Sequence, residues 1–189
     1  ADNSCLFNSV AYCLEGKRLD KALELRQHIA TAVMSDPLEF NEAVLGKTAS
    51  QYSAWILNSD SWGGGIECRI LSQHYAAIIS CIDVKTLGVY NFGEDCAYKR
   101  RIMLIYDGIH YDAISEVKEG EEITFFASDD AEAMAAGEAC VKELHNKKMY
   151  TDTSNFDLRC MVCGEGIKGS EGAQVHAAQT GHQNFAENK

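Results

Sequence analysis

Apolar residues recur at helical spacing through the first 75 positions. Leu6, Phe7, Val10, Ala11 and Leu14 mark one face of an opening helix that starts at Cys5. Leu19, Ala22, Leu25, Ile29, Ala32 and Val33 mark a second, stopped by Asp36-Pro37. A short helix is predicted over 38–45, ended by Gly46-Lys47, and Tyr52, Trp55 and Ile56 predict another over 48–57. Ile66, Ile70 and Leu71 give a fifth over 66–75, and Asp60-Ser61-Trp62-Gly63-Gly64-Gly65 reads as the connection before it.

The rhythm then changes. Residues 76–82 are almost continuously apolar, which predicts a strand buried on both faces. Strands follow over 88–92, 101–106, 109–114 and 123–127. Asp107-Gly108 is read as a two-residue type I′ turn joining the middle pair. Ser128 is placed as the cap of a closing helix, with Asp129 and Asp130 in its first turn and Lys147 and Lys148 at its end. Helices first, a small sheet next and one late helix describe an α+β layer arrangement.

A chain of 189 residues, 46% hydrophobic and 24% charged, holds one ordinary domain and a small appendage. We place the boundary between 1–148 and 149–189. A net charge of -11 argues against nonspecific affinity for nucleic acid or anionic membrane. The apolar run near 76–81 is far too short to span a bilayer, so no membrane insertion is expected. The chain starts without methionine, inside a motif with chemistry in it, and so reads as part of a longer protein. Cys13, Cys68, Cys81, Cys96 and Cys140 are scattered through periodic segments and are expected to be reduced core residues. Reduced thiols point to a cytoplasmic or nuclear compartment.

Two clusters carry candidate chemistry. Cys5 stands where a helix begins, and there the free backbone amides and the dipole favour an anion. Asp2, Asn3 and Ser4 before it suit a capping turn. His110 and Asp112 alternate onto one side of a predicted strand, so a carboxylate can orient an imidazole that serves a thiol. His28, His74 and His145 lack such a partner and read as ordinary. At the other end, Cys160-x2-Cys163 and His176-x5-His182, with twelve residues between the pairs, have structural zinc spacing. Phe156 and Val175 are candidates for the small core around that ion. From 151 to 189 three cationic residues face five acidic ones, and 174–182 holds no arginine or lysine, which argues against DNA recognition.

Asp2-Asn3-Ser4-Cys5-Leu6-Phe7 and Ile109-His110-Tyr111-Asp112 resemble the two signatures of the ovarian-tumour (OTU) class of deubiquitinating cysteine proteases. Trp62-Gly63-Gly64, Phe92-Gly93-Glu94-Asp95 and Tyr106-Asp107-Gly108 extend the likeness, and with the finger it runs through nearly the whole chain. The closest subtype is the ubiquitin thioesterases that carry a C-terminal zinc finger. The resemblance implies a papain-like α+β fold of OTU type. It implies Cys5 as nucleophile, His110 as base, Asp112 as its orienter and Asp2 as part of the active site. The amides from Asp2 to Cys5 would form an oxyanion hole, and Asn3, Ser4 and Ile109 would touch the substrate. Ubiquitin and polyubiquitin chains become the expected partners, with the helix from Asp129 as a second ubiquitin surface. The subtype works with the valosin-containing AAA ATPase in endoplasmic-reticulum-associated degradation and the unfolded protein response. The upstream ubiquitin-fold module that docks there lies outside these 189 residues. The alternative is an inactive zinc-finger scaffold that binds a protein or RNA, which would have no need of Cys5, His110 and Asp112 together.

Overall fold

A computed structural model describes residues 3–152, 157–182 and 185–187. Five helices open it: α1 (Cys5–Leu14), α2 (Ala22–Ser35), α3 (Glu42–Leu45), α4 (Ala49–Ile56) and α5 (Gly65–Tyr75). The predicted short helix shrinks to the single turn of α3. Its first half is a turn after Pro37, in which Asp36 accepts the amides of Leu38 and Glu39. Thr48 and Gln51 close a reciprocal capping box at the start of α4.

The sheet contains β1 (Ala77–Asp83), β2 (Val89–Phe92), β3 (Arg100–Tyr106) and β4 (Tyr111–Ala113) in the order β2-β1-β3-β4. β1 and β3 run parallel and the other pairs antiparallel. Side chains alternate between two cores. Ile79, Cys81, Ile102 and Leu104 pack under the opening helices, while Ile82 and Ile105 meet α6 (Ala131–Asn146) on the other face. The cap of α6 is Asp130, whose carboxylate accepts the Ala133 amide, rather than Ser128. The predicted 123–127 strand is two elements. Glu121–Ile123 (β6) pairs with Glu116–Lys118 (β5), and Phe126–Ala127 (β7) pairs with β3.

After α6 come Asp157–Cys160 (β8), Gly166–Lys168 (β9), Gly169–Thr180 (α7) and Phe185–Glu187 (β10). Leu158, Cys160 and Ile167 form the small core there with Ala173 packed against it. Val175, expected in that core, is 50% exposed, and Phe156 lies outside the described residues. Cys13, Cys68 and Cys81 are buried as expected. Cys140 is exposed on α6, which buries Gly137 and Val141 instead, and Cys96 is half-buried because it falls in a turn after β2.

Candidate active site

Cys5 is the first residue of α1 and half-buried. Ser4 occupies the N-cap and is buried, but its side chain makes no capping bond, contrary to the expected capping turn. The turn is fixed from outside. Asn3 donates its amide to Ser59 O at 3.0 Å and its side-chain amide to Asp60 O at 2.6 Å. Beneath it lies Arg26, only 2% exposed, donating to five main-chain carbonyls: Asn3, Ile56, Asn58, Ser59 and Ser61. Its guanidinium also lies 4.2 Å from the centre of the Phe7 ring. One side chain therefore ties the residues before Cys5 to the loop after α4. The sequence holds a sign of this, since position 26 falls on the apolar arc of α2, at helical spacing from Ala22, Ile29 and Val33.

The glycine run has a packing reason. A Cβ on Gly63 would stand 2.6 Å from Leu6 and 3.1 Å from Phe7, so the loop crosses α1 at backbone distance. Gly64 donates to Glu67, whose other oxygen takes the Tyr52 hydroxyl at 2.5 Å. Burial raises the carboxyl of Glu67, opposed by those hydrogen bonds and by Arg26.

His110 is carried by a turn, since β4 begins only at Tyr111. Asp107 donates its amide to His110 O at 3.1 Å, which makes Gly108 and Ile109 the central residues, one position later than expected. Only Gly108 has positive φ, at 108°, so the turn is not type I′. The Asp107 carboxylate accepts the amides of Ile109 (3.0 Å) and His110 (2.7 Å), and Tyr106 donates its hydroxyl to Gly108 O at 2.6 Å. His110 Nε2 lies 3.4 Å from Asp112 Oδ1, leaving Nδ1 for another partner. Both side chains are open to solvent, at 52% and 71%.

The two halves meet along α1. Ser9, one turn after Cys5 on the same helix face, donates to Tyr111 O at 3.0 Å. The face bearing Cys5 therefore packs toward β4, next to the turn that carries His110. The Tyr106 and Tyr111 rings lie beside them, tilted 31° to each other with centroids 4.7 Å apart. Burial, and then nearby acids and thiols that include Cys5, push both phenols up. The two tyrosines, Gly65, Phe92 and Tyr90 line a groove alongside. Ile109 stands partly exposed on the turn.

The second cluster is also assembled. The ligand atoms of Cys160, Cys163, His176 and His182 lie within 4.8 Å of one another. Cys160 Sγ is 3.6 Å from His182 Nδ1, and Cys163 Sγ is 3.5 Å from His176 Nε2. Bonds of ~2.3 Å to sulfur and ~2.05 Å to nitrogen in a tetrahedron put such S···N edges at about 3.6 Å. The donor set thus fits a zinc ion. Glu165 approaches the other nitrogen of His176 at 3.1 Å, where it fixes the tautomer and ring direction. Burial opposes ionisation of the Cys160 thiol, but the amides of Cys163 and Val162, the Cys163 thiol and His176 together lower it to about 6.

Residues 1–114 match the family model of OTU-like cysteine proteases. The chain belongs to that family. Residues 154–188 match a second model, described as the C-terminal C2H2-type zinc finger of ubiquitin thioesterase OTU1. Among curated OTU relatives, ubiquitin thioesterase OTU1 of Danio rerio is 46% identical over 99% of this chain, and that of Dictyostelium discoideum 47% over all of it. The chain spans 64% and 59% of those two proteins. An ovarian tumor domain-containing deubiquitinating enzyme 2 of Arabidopsis thaliana is 43% identical, with 95% of its length covered. A solved OTU domain in complex with ubiquitin superposes with a TM-score of 0.71 at 30% identity, covering 79% of this chain and 86% of that one. The fold is thus the α+β arrangement of the OTU family, with a C2H2 finger region after it.

Of the residues singled out from sequence, His110 and Asp112 are in contact, Cys5 faces their strand, and the four finger residues converge. Asn3 and Ser4 form the turn before Cys5. Asp2 lies outside the described residues.

Proposed function

We propose that this OTU protein is a thiol-dependent deubiquitinase acting at the C-terminus of ubiquitin. One observation carries the reading: the helix face that starts with Cys5 packs on the strand end where His110 and Asp112 meet, inside a fold whose relatives include ubiquitin thioesterases.

His110 takes the proton of the Cys5 thiol through Nδ1, while Asp112 holds Nε2 and with it the tautomer. The sulfur attacks the carbonyl carbon of the terminal glycine of ubiquitin. The Asn3 amide is taken by Ser59 O, so the oxyanion is met by other main-chain amides of the helix start, that of Cys5 among them. Collapse breaks the C–N bond, His110 gives its proton to the departing lysine amine, and a thioester remains on Cys5. Water then attacks that thioester as His110 takes its proton, and ubiquitin leaves as its carboxylate with the thiol restored. Ile109 on the exposed turn is placed to touch the incoming tail.

Zinc would be held by Cys160, Cys163, His176 and His182, and it supplies folding energy to the finger rather than chemistry to Cys5. The sequence likeness to the thioesterase subtype supports polyubiquitin as substrate. It also supports work beside the valosin-containing AAA ATPase in endoplasmic-reticulum-associated degradation and the unfolded protein response, in cytoplasm or nucleus.

Hydrolysis of a fluorogenic amide of ubiquitin's C-terminus tests the reading. His110→Ala should lower kcat by about 10²–10⁴-fold, and Asp112→Asn by less because that carboxylate is solvent-exposed. Unchanged turnover in His110→Ala would remove the base from the mechanism.

A further inference from the structure

Residues 150–152 fall between the two matched family models, yet they are fastened to the turn that carries His110. Tyr150 stacks on His145 with centroids 5.7 Å apart, and His145 in turn bonds Val84 O at 2.8 Å. Thr151 donates its backbone amide to Asp107 O at 2.7 Å. Its carbonyl presses on Gly108, where a Cβ would come within 2.3 Å. Asp152 pairs with Lys85 at 2.5 Å.

The bond to Asp107 has a particular place in the hairpin. In a tight two-residue turn the flanking residues exchange two main-chain hydrogen bonds. Here one is kept, from Asp107 N–H to His110 O, but the His110 N–H is diverted to the Asp107 carboxylate. Asp107 O, which would ordinarily receive it, is taken by Thr151 N–H. The connecting segment replaces the missing closure of the turn.

We infer that Tyr150, Thr151 and Asp152 form a positioning strap for His110, with the Thr151 amide holding the turn in the conformation that aims the imidazole at Cys5. The inference rests on the reading of His110 as the base. The strap touches no reacting atom, so its effect is on orientation, and a displacement of about 1 Å can cost up to about 10²-fold in rate.

The test replaces the amide at residue 151 by an ester in the full zinc-loaded chain, which removes that N–H and weakens the Tyr150 carbonyl as an acceptor. An ester at residue 149, which removes the bond from Met149 N–H to Leu144 O, serves as the matched control. On a ubiquitin C-terminal amide, the 151 ester should lose about tenfold in kcat with KM held within about twofold. Amide exchange at Ile109 and His110 should quicken in step, and the 149 ester should do neither. The strap is overturned if the 151 ester keeps wild-type kcat and exchange, or if the 149 ester reproduces its effects. If the unmodified chain proves inactive, the catalytic reading has failed and the exchange comparison alone decides the strap.

Discussion

Five carbonyls converge on the guanidinium of Arg26, and two of them belong to Asn3 and Ser59, on either side of the turn leading to Cys5. A lysine there would keep the charge but lose the planar fork, leaving buried acceptors unsatisfied at about 1–3 kcal/mol each. Arg26→Lys should therefore lower the melting temperature, and acylation of Cys5 by ubiquitin substrates should slow toward the roughly 10²–10³-fold loss of an oxyanion donor. Alkylation of Cys5 by iodoacetamide forms no oxyanion and should keep its rate. Equal slowing of both reactions would reduce Arg26 to a purely structural part. Cys5, His110 and Asp112 could be nominated from sequence because the chemistry proposed for them depends on residue type and short spacing, and the contact of His110 with Asp112 agrees with that spacing. Arg26 left only its place on the apolar arc of α2 as a sign, and its role is plain once the five acceptors are seen. Cys96 and Cys140 erred the other way, since cysteine type alone suggests burial.

At the scale of elements, long periodic helices and the buried β1 could be read directly, whereas short charged strands could not. The β5–β6 hairpin has no apolar alternation, and its turn at Glu119-Gly120 is marked mainly by two positive φ angles. What holds it is polar. Glu122 on β6 takes the Tyr12 hydroxyl, in the last turn of α1, at 3.0 and 2.9 Å and pairs with Lys17, in the turn after that helix, at 2.8 Å. Lys17 first, then Ser115 and Tyr12, lower its carboxyl to about 2. A depressed carboxylate stabilises the fold above its unfolded pKa of about 4.5, and that contribution is lost as pH falls toward the folded value. Melting of wild type and Glu122→Gln should differ by a constant amount above about pH 5 and converge between there and pH 2. A constant gap across that range would contradict the assignment. The turn at 107–110 was misplaced by one residue for a similar reason: its closure depends on the Asp107 carboxylate and on a segment some forty positions away.

Across the whole molecule, the order of helices, sheet and finger followed from changes of period and from the Cys/His spacing. Which strands pair did not, and the parallel contact of β1 with β3 is set by packing between the two cores. The strap crosses between the regions but ends at residue 152, before the finger ligands begin at Cys160. Zinc supplies on the order of 10–16 kcal/mol to fingers of this size, so a strong chelator should unfold residues beyond the strap while kcat stays within about twofold. Exchange protection and turnover measured on one sample check this, and joint loss would show that the finger reaches the site. Ubiquitin carrying an electrophilic C-terminus, followed by peptide mapping of the adduct, probes Cys5 as the nucleophile without an intervening assumption. One ubiquitin should be attached at Cys5, out of eight cysteines, and Cys5→Ala should carry none. An adduct on another cysteine, or one that persists in Cys5→Ala, would rule Cys5 out as the nucleophile.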